Sequence, residues 1–151
     1  MIKKKGRRKR KVWTVIFIII GVIVAVGLIA LLADGPGRHE IAKLEYSDID
    51  FKNLNDGTYE GEYKGKKSHM RDTKVEVTVS EGEVSDVKII KGAVDKEGKP
   101  STIKDGKSIE DLFNSAVSAE TLDVDVISGA TITCKAHLKA FENALEKAEN
   151  K

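Results

Sequence analysis

The chain has 151 residues, a third of them charged, with one cysteine and three histidines. One cysteine excludes an internal disulfide or a cysteine-ligated cluster, and His39, His69 and His137 have no metal-ligand spacing. The formal net charge of +2 conceals a basic N-terminus and an acidic remainder, with no aromatic-studded basic strip to bind nucleic acid.

Eight basic residues (Lys3, Lys4, Lys5, Arg7, Arg8, Lys9, Arg10 and Lys11) open the chain, and the 22 residues 12–33 that follow carry no charge. A helix over that run is ~33 Å long at ~1.5 Å per residue, enough for the ~30 Å hydrocarbon core of a membrane. A cleaved signal peptide has an apolar region of only ~7–15 residues and a small-x-small cleavage site. Leu31-Leu32-Ala33 is a poor match, so 12–33 reads as an uncleaved transmembrane anchor. Basic residues favour the cytoplasmic side, which places tail 1–11 inside and residues 34–151 outside the cell membrane in a single pass. That outer part has 18 basic and 24 acidic residues, a net charge of −6.

Residues 34–55, beginning Asp34-Gly-Pro-Gly37, read as a polar juxtamembrane linker, and 56–148 as one small domain. Residues 57–63 make a first strand. Val75, Val77 and Val79 alternate with polar residues, and Glu81-Gly82 turns that strand into 84–90, a hairpin. Residues 92–106, turn-rich and containing Pro100, read as a loop. Ile109, Leu112, Phe113, Ala116 and Val117 fall on one helical stripe. Leu138, Phe141, Leu145 and Ala148 form another within a helix over 133–147, with Cys134 on the same face. Strands followed by helices predict an α+β domain: a small antiparallel sheet packed with two helices, preceded by one N-terminal transmembrane helix.

Between the helices, Leu122-Asp-Val-Asp-Val126 alternates like a strand and runs into Ser128-Gly-Ala-Thr131. The turn lifts a threonine hydroxyl to the mouth of a helix, where backbone N–H groups lack partners and a phosphate can be held. A phosphate-bearing group is therefore expected near, or on, Thr131. Taken bare, these four small residues read first as an ordinary helix-entry turn. Asp123 and Asp125 share a strand face, but without an aromatic sugar-binding cleft they read as solvated. Cys134 reads as a buried small hydrophobe rather than a reactive thiol. His137, between Lys135 and Lys139, reads as solvated. No nucleophile–histidine–acid set, P-loop, dinucleotide fingerprint or haem site is present, so the chain is read as a non-enzyme with no catalytic residues of its own.

Asp125-x-x-Ser-Gly-Ala-Thr131, followed by Ile-Thr-Cys-Lys-Ala, resembles the FMN-binding domain family. Asp56-Gly-Thr-Tyr-Glu-Gly61, the hairpin over 75–90 and the alternation from Leu122 extend the resemblance to about residues 56–148. That family includes flavin subunits of the sodium-pumping NADH:quinone oxidoreductase and the Rnf complex, and small anchored flavoproteins of extracellular electron transfer. The resemblance implies that a separate flavin transferase takes FAD and joins FMN through its phosphate to Thr131. Asp125, Ser128, Gly129 and Ala130 would form the rest of the cofactor-binding motif, with Thr133 the nearest rival acceptor and no metal. It also implies a membrane reductase or quinone-linked electron donor as partner. Family members often have serine where Cys134 stands, and many carry a Glu-Thr-Pro-Gly loop where this chain has Val94-Asp-Lys-Glu-Gly-Lys-Pro100.

The leading expectation is a membrane-anchored extracytoplasmic electron carrier with covalent FMN. One alternative is an anchored sensory or regulatory module that binds FMN without a covalent bond. Another is a structural surface domain in which 128–131 merely caps a helix.

Overall fold

The computed structural model describes residues 4–149; residues 1–3 of the basic tail and 150–151 lie outside the described residues. The chain divides into two compact units, Met1–Pro36 and Gly37–Lys151.

Helix α1 (Lys4–Ala42) occupies the described part of the first unit and runs on into the second. Its stretch Val12–Ala42 is long and apolar enough to cross a membrane, with a mean hydropathy of 3.4 in its most apolar window. Val12, Phe17, Ile18 and Leu28 are all exposed. A helix apolar on every side and covered by no protein is suited to lipid. Asp34-Gly-Pro-Gly37 does not end it. Pro36 removes its own N–H donor and sets its ring against the carbonyl four residues back, yet the helix runs on to Ala42 and Ile41 in its last turn is buried.

In the second unit, β1 (Gly57–Tyr63), β2 (Thr73–Ser80) and β3 (Glu83–Lys91) form an antiparallel sheet in the order β1-β2-β3. The alternation read from the sequence holds. Val75, Val77 and Val79 are buried, and Tyr59 and Gly61 of β1 lie opposite Val77 and Val75. Glu81 and Gly82 both have positive φ, the two-residue turn whose twist matches a hairpin.

Helix α2 (Ile109–Ala119) and helix α3 (Thr131–Glu149) complete the unit. Ser108 caps α2 and Asp111 returns a bond to the cap, a capping box. Helix α3 lies on β1 and β2, with Phe141 against Phe113 at 5.2 Å between ring centroids. The approach is close because Gly61 has no side chain: a Cβ there would lie 1.9 Å from the Ala140 carbonyl oxygen. Asn143 Nδ2 donates to the Glu62 carbonyl at 2.7 Å, and Lys147 Nζ to that of Glu60 at 2.5 Å.

Three sequence expectations are corrected. The stretch 37–55 is no mere linker, since Ile41, Ile49, Phe51 and Leu54 all enter the core. Phe51 meets Phe141 edge-on at 6.2 Å. The loop 92–106 contains a Val94–Pro100 bridge and β4 (Thr102–Lys104), which pairs with β5 (Lys107–Ser108). Residues 122–126 pair with no strand among the described residues, although their burial alternates.

Candidate functional site at the head of the last helix

Ile127 is buried and anchors the turn before α3. The Ala130 N–H returns to the Ile127 carbonyl at 2.9 Å, with Gly129 at φ 81° between them. That left-handed conformation is cheap only for glycine. The Ala130 carbonyl accepts the Cys134 N–H at 2.9 Å, so Ala130 holds the cap position and Thr131 is the first helical residue, two earlier than the sequence suggested.

An alanine cannot cap. The first turn of α3 carries no acidic residue, and among the described residues no side chain takes up its N–H groups, in contrast to α2. The helix therefore presents unmet donors and the positive end of its dipole. Ser128, Gly129 and Thr131 are exposed at this end while Ala130 is buried.

Two cavities flank the turn. The larger, about 450 Å³, lies between the β4–β5 hairpin, Leu112 and Ser115 of α2, and the segment from Asp125 to Ser128. The smaller, about 270 Å³, is lined by Thr133, Ala136 and His137 of α3 with Gly92, Ala93 and residues 70–72. Asp125 and Ser128 thus come together on one side and Thr133 lies on the other, with Thr131 between them in the chain. Asp123 and Asp125 are both exposed, as expected.

Sequence reasoning missed Lys104. A Cβ built on Gly129 would lie 3.9 Å from its Nζ, so this ammonium stands beside the turn. The usable signal was Asp105-Gly106, a strong hairpin dipeptide, and both residues do take positive φ.

Cys134 is fully buried, and burial pushes its thiol above the ordinary range. It packs, as expected. His137 is not solvated: it is 3% exposed. Its Nδ1 faces the Thr133 carbonyl at 2.8 Å, and its Nε2 accepts the Ala93 N–H at 3.1 Å. Those partners require a neutral ring protonated at Nδ1, and burial holds its pKa below the ordinary value. The position follows from spacing, because 137 is three residues after Cys134 and four before Phe141.

Glu142 was also missed. It is fully buried, accepts the Ser47 N–H and pairs with Lys139. It draws the chain around Ser47 onto α3. Its charge hid it in the sequence, although it lies four residues after Leu138.

Among the described residues no group of three or more His, Cys, Asp or Glu could hold a metal ion. The arrangement suits a different task, which is to hold an anion at the helix head and offer a hydroxyl beside it. A family model described as an FMN-binding domain matches residues 69–146, which include the whole turn. No curated protein and no solved structure matches the chain.

Proposed function

The chain belongs to the FMN-binding domain family, and from that premise we propose that it is a membrane-anchored extracytoplasmic electron carrier with FMN joined through its phosphate to the Thr131 hydroxyl. The observation that carries the reading is Thr131 itself, exposed at an uncapped helix head inside the matched segment.

The residues present fit such a group. Ser128, Gly129 and Ala130 are small enough to admit the active site of a flavin transferase. The N–H groups of the first turn can bind the phosphodiester charge, worth about 0.3–1 kcal/mol at an exposed helix end. Lys104 adds a full positive charge from the hairpin. The cavity of about 450 Å³ falls within the ~300–1,000 Å³ usual for small-molecule sites. Leu112, Val126 and Ile127 give it apolar wall for a flat ring.

Bound FMN supplies the electron-transfer chemistry; the chain fixes its position and environment. A covalent tether holds a cofactor outside the cell at an effective concentration in the millimolar range, where a free one would diffuse away. The apolar helix anchors the chain, and its donor is a membrane reductase or quinone-linked carrier. The protein acts as a relay rather than as an enzyme.

The test is co-expression with a flavin transferase, followed by denaturing-gel fluorescence and intact mass. The protein should gain one FMN less one water, on the peptide containing Thr131. Thr131→Val keeps the shape without the hydroxyl and should abolish attachment, while Thr133→Val should keep it. Retained flavin in Thr131→Val moves the acceptor to Thr133. A wild type that never acquires flavin ends the covalent-carrier reading.

A further inference from the structure

Residues 34–151 are net acidic, yet the loop 64–71 between β1 and β2 carries Lys64, Lys66, Lys67 and Arg71 and no carboxylate. Two carboxylates outside the loop hold it in shape. Glu40 accepts the N–H groups of Lys66 and Lys67, each at 2.9 Å. Asp72 accepts the Gly65 N–H at 3.0 Å and meets His69 Nδ1 at 3.1 Å. Both lysines are thus held through their backbones, with their residues exposed to solvent. Met70 is 74% exposed, more than any other large apolar residue described in 37–151.

The chain also dictates where this loop can be. Ser68 backs onto Gly37, where a Cβ would lie 2.5 Å from the Ser68 Cβ. Gly37 is four residues past the end of the uncharged run at Ala33. Four residues reach at most ~14 Å in any conformation. The headgroup layer on each side of the hydrocarbon is itself about 5–7 Å deep. If 12–33 is embedded, as the anchor in the proposed function requires, the loop stays within reach of the lipid surface.

We propose that residues 64–71 form a second membrane contact. Lys66 and Lys67 engage the phosphates of anionic lipid headgroups, and Met70 inserts at the boundary between headgroups and acyl chains. Each basic residue near an anionic surface favours contact by about fivefold, so two give a preference of ~25-fold over a neutral bilayer. The contact is electrostatic and weakens as salt shortens the screening length.

The full chain, carrying Trp13→Phe and Met70→Trp so that its one indole sits at position 70, is reconstituted into vesicles. One set is phosphatidylcholine alone and the other contains a third phosphatidylglycerol, each with and without brominated acyl chains. The indole should be quenched by bromine and shielded from aqueous acrylamide at least about threefold more in the phosphatidylglycerol vesicles. High salt, or adding Lys66→Glu and Lys67→Glu, should remove the difference while the protein still floats with the vesicles. The N–H groups that Glu40 accepts are supplied by any residue at 66 and 67, but the Lys66 charge also lies near Glu40. The neutral pair Lys66→Gln and Lys67→Gln, which sets no like charge beside it, is therefore run alongside and should also remove the difference. Equal acrylamide access in both compositions, or a difference that survives both lysine substitutions, overturns the proposal. A chain that floats with neither vesicle refutes the anchor, and this contact with it; flavin attachment at Thr131 is measured separately and is untouched by that result.

Discussion

Gly61→Ala offers the strongest test of how α3 is seated. The added methyl would fall 1.9 Å from the Ala140 carbonyl oxygen and 2.6 Å from the Ala144 nitrogen, both backbone atoms of α3. Ordinary contact begins near 3.4 Å, so the helix must withdraw from β1 by about 1.5 Å. Overpacking costs about 1–3 kcal/mol, and a gap of ~0.5–1 Å forfeits a quarter to a half of the dispersion attraction of each separated pair. With Phe141, Leu145 and Ala144 all fully buried at this interface, a loss of about 3–5 kcal/mol is expected, against a typical total of ~5–15 kcal/mol. The midpoint should fall by about 10–20 °C for a unit of this size. The assay is thermal unfolding of the full chain in detergent, followed through the buried tyrosines Tyr59 and Tyr63, which belong to the second unit. Gly98→Ala is the control. Nothing lies within 4 Å of its new methyl, but φ is 79°, so only backbone strain of about 1–2 kcal/mol applies. A Gly61→Ala midpoint within about 2 °C of wild type would refute the packing argument.

His137 should make stability fall on mild acidification. Its folded pKa lies below the ordinary 6.5, so the unfolded chain binds the extra proton; stability is full above pH 6.5 and declines as pH drops toward the folded value. Urea midpoints for wild type and His137→Phe between about pH 7.5 and 5 should show the slope only in the wild type. Lys104→Glu reverses the charge beside Gly129 and should slow flavin attachment about tenfold in a timed transferase assay, with Lys104→Arg restoring it; an unchanged rate removes Lys104 from the site. Cys134→Ser buries a hydroxyl in place of a thiol and should cost about 1–2 kcal/mol in urea unfolding, while the flavin mass remains.

The parts of the fold legible in the sequence were those with a sustained period. Val75, Val77 and Val79 displayed the β period, and the stripe from Ile109 to Val117 displayed the helical one, because each segment buries a single face along its length. Residues 37–55 bury Ile41, Ile49, Phe51 and Leu54 one at a time. No local period links them, and their burial depends on distant partners such as Phe141. β4 and β5 are too short to show alternation at all. Leu122 to Val126 shows the reverse: the alternation records which side chains face inward, while the backbone finds no strand to pair with. At the site, the small turn before α3 was legible from residue size, but the helix start was read two residues late, and the choice of Thr131 as attachment point came from the family resemblance. Lys104 was not legible, since it reaches the turn through a hairpin distant in sequence. His137 and Glu142 were obscured because polar residues on a helix suggest solvent, whereas backbone partners and an ion pair let both sit inside.

The side chains that fasten α3 to β1 have a colloidal consequence as well. A three-stranded open sheet has two raw edges, and raw edges recruit strands from neighbouring molecules. Asn143 and Lys147 already occupy the Glu62 and Glu60 carbonyls of β1. On the opposite margin β3 carries exposed Asp86, Lys88 and Lys91. If helix α1 anchors the chain as proposed, its copies are confined to two dimensions, where they meet far more often than in free solution. With one margin plugged and the other charged, such copies can crowd without zipping into fibrils.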